Sequence, residues 1–415
     1  MRAATIAAIA LAALAMQGCA MTGPTGAGGS RPEVATTPPK PWAKAFDLAE
    51  QKPGAAPSRD TLEGSLWMAI EKMEQDTRTS GARIQDKQVN DYVQGLVCKL
   101  ASAYCPDVRV YVTQIPQFNA FMTPNGMMQV WTGLLLRTQN EAQLATVLGH
   151  EIGHFLQRHS VKRYEDAIAK TNLLAVFQIA AAAGGVPVAG DAAALVTMGS
   201  IASFSRDNER EADDLGMRLL VENGYDAREA SKIWDNLIAE MKADEGSSSP
   251  LFFLASHPPS DERSRTLKTM AGEARLLGNQ GETGAERYRR VFLPHRGEYL
   301  RDELNQRRYG RFDKLLDQLI EDGANVGELL YFRGELYRQR GKEGDLPKAL
   351  AAYEAATAAE GAPPELYRAL GLLRLKSGDR PAAGAALERF LALRPDAPDR
   401  DMIRMMIDQT RQVTQ

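Results

Sequence analysis

Five histidines serve a chain of 415 residues, and three of them crowd into positions 150–159. Two stand in the run His150-Glu151-Ile152-Gly153-His154. Leu144, Val147, Leu148, Phe155 and Leu156 recur around them at helical spacing, which predicts a helix from Glu141 to about Arg158. Side chains four residues apart on a helix lie on one face, so the two imidazoles can converge on one metal ion. One zinc per chain suits that pair. Glu151 lies about 100° round the same helix, within reach of a water on the metal rather than of the metal itself.

A catalytic zinc needs a third protein ligand and an open position. One extended form of the motif would place Gly at 157 and His at 160; the chain has Gln157 and Ser160, so that form fails. On a continuous helix His159, five residues past His154, points away from the metal face and reads as a surface or supporting residue. Carboxylates come instead from Ser205-Arg206-Asp207-Asn208-Glu209-Arg210-Glu211-Ala212-Asp213. Glu209 and Asp213 share a helix face, and Ala212 and Gly216 are small enough for close helix packing. Glu209 is then the third ligand, with Asp213 accepting the free ring N–H of a ligand histidine. Spacing alone leaves Glu211 as a competitor.

The elements that must position these residues are mostly helical. Apolar positions at Leu66, Ile70 and Met73, then Val89, Val93, Leu96 and Leu100, predict two lead-in helices between about Asp60 and Ala101. A small sheet follows over Val108–Thr113, Phe118–Thr123 and Met127–Leu136, with Pro124-Asn125-Gly126 as a tight-turn signal. Further helices are expected from about Asp207 to Glu222 and Ala227 to Met241. Two apolar stretches, Leu173–Ala183 and Ala192–Phe204, are too short to span a bilayer; they read as a buried helical pair or as a lid or hydrophobic surface beside the site. A loop, Ser247–Pro259, carries His257.

Composition bounds the rest. With 50 Lys+Arg against 53 Asp+Glu, 44% hydrophobic and 25% charged residues, the chain is an ordinary globular protein of two or three domains. Disorder, collagen and a multi-pass membrane protein are excluded, and the near-balanced charge points to no nucleic-acid partner. The N-terminus, apolar from Ala3 to Met16 except for Thr5 and ending Gln17-Gly18-Cys19-Ala20, predicts a signal peptide over residues 1–20 and export to the periplasm. Gly18-Cys19 resembles a bacterial lipobox, which would anchor Cys19 by lipid, with Ala20 favouring the outer membrane; ordinary signal-peptidase cleavage fits the same residues. Residues 21–57, rich in Gly, Pro, Ser and Thr, read as a flexible tether. Cys98 and Cys105 could close a small disulfide loop in an oxidising compartment or remain two buried thiols.

Beyond a polar joint at 271–290, Gly334, Ala349, Tyr353 and Ala356 align with Gly371, Ala383, Leu387 and Phe390, the last three at an offset of 34. Pro395 lies 24 residues past Gly371. The pattern resembles tetratricopeptide (TPR) repeats, two of them recognisable and a degenerate one over 298–322, which need neighbours to bury their faces.

Taken with Asn119-Ala120-Phe121 and Ser256-His257-Pro258, the His-Glu-Ile-Gly-His and Glu209-to-Asp213 runs resemble the HtpX and CAAX-prenyl-protease superfamily of zinc metallopeptidases. The repeats and export signal look like its periplasmic BepA branch. That resemblance implies His150, His154 and Glu209 as zinc ligands, which settles the choice against Glu211, and Glu151 as the catalytic base. It also implies that the His257 loop folds over the site, where His257 would occupy a fourth zinc position or stabilise an oxyanion, and that Asn119, Ala120 and Phe121 lie on an edge strand receiving an extended peptide. Arg263 falls in the family's pattern after His257-Pro258, touching substrate or locking the loop.

The expected architecture is a mainly α fold with a small β-sheet, an α+β zincin-type metallopeptidase domain over 58–270, joined by the 271–290 linker to an all-α TPR solenoid over 291–415. The expected activity is zinc-dependent hydrolysis of peptide bonds in unfolded or misassembled envelope proteins. The rival is a chaperone or assembly factor whose repeats hold outer-membrane proteins or their assembly machinery, with proteolysis secondary.

Overall fold

The computed structural model describes residues 45–170, 204–244, 257 and 261–412. The signal peptide, Cys19, the first part of the tether, nearly all of the two apolar stretches between 173 and 204, and both neighbours of His257 lie outside the described residues.

Helices α1 (Leu62–Thr79) and α2 (Lys87–Ala101) are each opened by a side-chain cap: Thr61 Oγ1 accepts the Gly64 N–H and Asp86 accepts the Val89 N–H. Past α2, Cys98 and Cys105 are joined in a disulfide. The sheet has β1 (Arg109–Thr113), β2 (Ala120–Met122) and β3 (Met127–Trp131) in the order β1-β3-β2. β1 runs parallel to β3, while β2 pairs antiparallel to it with Phe121 opposite Gln129. Gly126 turns the hairpin at φ 85°, and an added Cβ there would stand 2.0 Å from the Asp107 carbonyl.

The third strand is shorter than expected. After Trp131 the chain becomes helix α3 (Thr132–Arg137), so Leu134 and Leu136 sit on a helix. A short, fully buried apolar run carries no periodicity that separates strand from helix, which is why Met127–Leu136 misleads.

Helix α4 (Glu141–Leu156), capped by Asn140 on the Gln143 N–H, is buried along its whole length. Helices α5 (His159–Lys170), α6 (Arg206–Glu222), α7 (Glu229–Ala243) and α8 (Asp261–Leu276) surround it. Eight more follow: α9 (Ala285–Phe292), α10 (Arg296–Asn305), α11 (Tyr309–Asp322), α12 (Val326–Arg340), α13 (Asp345–Thr357), α14 (Glu365–Lys376), α15 (Arg380–Leu393) and α16 (Arg400–Gln412). Among the described residues no helix is long and apolar enough to cross a membrane.

One hydrophobic core runs from Val89 on α2 through Leu148, Trp234, Tyr288 and Phe312 to Leu336 on α12. Helices α9 to α12 therefore share a core with the helix that carries the histidine pair, while α13 to α16 pack in two smaller clusters of their own. Within that core lies a buried charge quartet: Arg137 reaches Glu240 and Glu303 at 2.8 Å each, and Arg311 reaches both at 3.4 Å. Two cations and two anions close on each other across α3, α7, α10 and α11.

The last part of the segment read as a tether is docked. Residues Ala45–Leu48 form a 3-10 turn, the Glu50 and Gln51 N–H groups donate to the Leu156 carbonyl, and Phe46 stacks on Tyr104. In the repeats, Gly334 lets Tyr353 approach and Gly371 does the same for Leu387 at the equivalent place, added Cβ atoms falling 2.3 and 2.7 Å from those side chains. The two aligned sequence units are thus the same helix-pair contact.

Candidate metal centre

The site is built where α4 crosses α6. Small residues let the two backbones meet: a Cβ added at Gly153 would stand 2.9 Å from the Ala212 carbonyl, and one at Gly216 2.9 Å from the His150 nitrogen. Contact this close brings the α4 histidines within reach of short carboxylate side chains on α6. Ser205 caps α6 by accepting the Asn208 N–H, which sets Glu209 in its first turn.

His150, His154, Glu209 and His257, all buried, place one ligand atom each within 4.8 Å of one another. His154 Nε2 is 3.1 Å from His150 Nε2 and 3.3 Å from Glu209 Oε1, and the second Glu209 oxygen lies 3.6 Å from His150 Nε2. His257 Nδ1 is 2.9 Å from Glu209 Oε1 and 3.2 Å from His150 Nε2.

Burial brings His150 down to about 4 and holds His154 well below its ordinary value, so both rings keep a lone pair free at neutral pH. Burial pushes Glu209 the other way, but His257, His154 and His150 outweigh it and hold the carboxyl far below the usual range. Neutral imidazoles beside an ionised carboxylate, converging on one point, are the donor set that a zinc ion takes. The cluster fits zinc.

Glu151 points to the same place. Its Oε1 is buried and has no hydrogen bond among the described residues, 3.6 Å from His257 Nε2, and burial raises the carboxyl to about 7. The Met122 backbone N–H bonds this carboxylate and pulls the other way. Asp213 Oδ1 lies 2.9 Å from His150 Nδ1, the geometry for fixing the ring by its outer nitrogen. Arg263 clamps Asp213 through Nε and Nη2 at 2.8 and 2.6 Å, reaches Glu209 with Nη1 at 3.0 Å and lies over the Trp234 ring.

His159 takes the supporting one of its two expected roles, but it does not point away from the metal face. Helix α4 ends at Leu156, Arg158 takes a left-handed φ of 55°, and the chain turns back so that His159 Nδ1 lies 2.8 Å from His154 Nδ1. It is buried and its Nε2 meets Glu211 Oε2 at 3.0 Å. Glu211 thus lies outside the four-donor cluster. No Gly or Pro announces the break, so the sequence carries no signal for it.

β2 is an edge strand packed against α4. Asn119 gives its carbonyl to Trp131 and Thr123 its N–H to Met127, so the alternation turns the backbone groups of Ala120 and Met122 away from β3, where the Met122 N–H meets Glu151. Asn119 and Phe121 face β3 with their backbones instead. Met122 is the residue that sequence reasoning misses, because the alternation becomes visible only once the hairpin register is known.

Residues 83–271 match peptidase family M48, and residues 335–408 match a tetratricopeptide repeat family. The chain carries an M48 peptidase domain. Relatives include the mitochondrial metalloendopeptidase OMA1 of Arabidopsis thaliana, 29% identical over 56% of this chain and 50% of that protein. The OMA1 of Schizosaccharomyces pombe is 32% identical over 40% of this chain and 48% of its own. The beta-barrel assembly-enhancing protease of Escherichia coli (strain K12) is 27% identical over 56% and 52%. The chain spans about half the length of the curated relatives it matches. The M48 match covers every element that supplies the cluster, from β2 through α4 and α6 to His257 and Arg263.

Proposed function

We propose that the chain is an exported zinc-dependent endopeptidase acting on unfolded or misassembled envelope proteins. The observation that carries this is the buried carboxylate of Glu151 beside a zinc-fitting cluster and the edge strand β2. His150, His154 and Glu209 are the ligands, with Asp213 holding His150. Bound zinc supplies Lewis acidity to the scissile carbonyl and to water.

The chain's own residues do the rest. An extended peptide adds to β2, its main chain pairing with Ala120 and the Met122 carbonyl, while the Met122 N–H stays on Glu151, which sets a scissile bond beside that carboxylate. Glu151 takes the proton of the attacking water and returns it to the leaving amine, a role suited to a carboxyl raised toward neutrality. His257, in contact with Glu209 at 2.9 Å, would be a further ligand of the bound ion in a resting state and would have to give way to substrate. Arg263, buried and occupied by two carboxylates, locks α8 to α6 rather than contacting substrate. The name of the Escherichia coli relative favours clients of the outer-membrane assembly route. We place the protein in the periplasm, with Cys19 a candidate lipid anchor, and assign its repeats to holding clients or assembly machinery.

Zinc content and casein cleavage by purified full-length wild type, Glu151→Gln and His257→Ala test this. One zinc in each, cleavage lost in Glu151→Gln and raised in His257→Ala, is the expected result. Wild-type turnover by Glu151→Gln would remove Glu151 as the base. A wild type without zinc, with all three proteins still binding unfolded protein, would put the chaperone role first.

A further inference from the structure

We propose that His159 and Glu211 form a hydrogen-bonded relay that orients His154 toward the metal. The proposal rests on His154 being a zinc ligand through Nε2, as argued above. Proton bookkeeping then fixes the chain. Because His154 Nε2 faces Glu209 and His150, the proton of that neutral ring sits on Nδ1. The atom 2.8 Å from it, His159 Nδ1, must accept, which leaves the His159 proton on Nε2. That nitrogen donates to Glu211 Oε2 at 3.0 Å. Each nitrogen has one role and each role has a partner.

The surroundings hold the relay in place. The two rings meet edge to face at 71° with centroids 4.9 Å apart, while Phe204 stacks on His154 at 4.0 Å. Arg158, whose left-handed backbone swings His159 inward, is itself anchored on Glu63 and Gln51. The two metal-side histidines are therefore supported differently. His150 leans on a buried carboxylate already neutralised by Arg263, whereas the chain behind His154 ends on a carboxylate whose side chain is 56% exposed. Since Glu211 acts through water-accessible charge, its removal costs less than removal of the His159 acceptor.

The test is zinc affinity of the full chain, measured by competition with a chromophoric chelator, alongside the melting temperature of the metal-free protein. His159→Ala should bind zinc about 10–100-fold more weakly. His159→Asn puts Oδ1 where Nδ1 stood, keeps the acceptor, and should recover affinity to within about threefold of wild type; Glu211→Gln should lose about two- to fivefold. Wild-type affinity in His159→Ala overturns the relay. So does equal weakness of the Asn and Ala variants, which would make His159 a packing residue. Should the Ala variant not fold, Asn against Glu211→Gln carries the comparison: Glu211→Gln at wild-type affinity then overturns the relay. A wild type that binds no zinc overturns the metallopeptidase reading itself, a separate result.

Discussion

Gly216→Ala should loosen the metal site from behind, and Gly149→Ala should not. Both glycines lie at the α4–α6 contact, but on different terms. A Cβ at Gly216 would stand 2.9 Å from the His150 nitrogen and 3.1 Å from the Gly149 carbonyl carbon and the His150 Cα. Ordinary non-bonded contacts are about 3.5–4.0 Å, so α4 must retreat by roughly 0.5–1 Å. Overpacking of that kind costs about 1–3 kcal/mol, against which alanine recovers about 1 kcal/mol of helix propensity. The net is a loss of about 0–2 kcal/mol. The retreat carries His150 away from Glu209 and Asp213, and a metal constellation tolerates only about 0.5 Å, so zinc affinity should fall about tenfold. A Cβ at Gly149 meets only Gly216 backbone at 3.3 Å or more. There the strain is small and propensity leads, giving between no change and about 1 kcal/mol of stabilisation with wild-type zinc affinity. Urea unfolding of the metal-free proteins and chelator competition of the loaded ones read both effects. Equal zinc affinities in the two variants would refute the claim that helix separation sets ligand geometry.

The buried quartet predicts that Glu303→Ala, which leaves Arg137 and Arg311 sharing Glu240, costs about 3–5 kcal/mol in urea unfolding. Glu303→Leu with Arg311→Leu together should cost less than either alone; additive losses would show that the charges act independently. Reducing the Cys98–Cys105 disulfide, which closes a seven-residue separation, should lower stability by about 2.5 kcal/mol on the loop-entropy relation, and identical urea midpoints with and without reductant would contradict it. In the repeats, the hydrogen bond from Arg340 lowers Asp345 from the ordinary 3.8 to about 2. A depressed carboxyl stabilises the fold above its ordinary value and loses that contribution as pH falls from 3.8 through about 2. Arg340→Ala should therefore be less stable at neutral pH by a margin that shrinks on acidification, and a margin constant with pH would contradict the assignment.

How far the site is legible depends on whether a decision is local. His150, Glu151 and His154 are legible because one helix fixes their relation and the apolar pattern around them declares that helix. Glu209 against Glu211 is not decided by spacing, since both ride one helix. The choice is made by the face on which Gly153, Ala212 and Gly216 allow α4 to approach, a tertiary event whose only trace is three small residues. The inward position of His159, though not its supporting role, escapes because it depends on a turn at Arg158 without glycine or proline, sustained by partners 95 and 107 residues away in the chain. Met122 escapes because its amide is turned toward Glu151 by a register that three residues of β2 are too few to declare. The groups proposed for the chemistry are written in short motifs, and Asp213 is legible beside Glu209 on one helix face, while the grip of Arg263 on Asp213 and the contact of His159 with Glu211 become visible only when distant segments meet. Support of this kind is where substitutions would change metal affinity without touching a ligand.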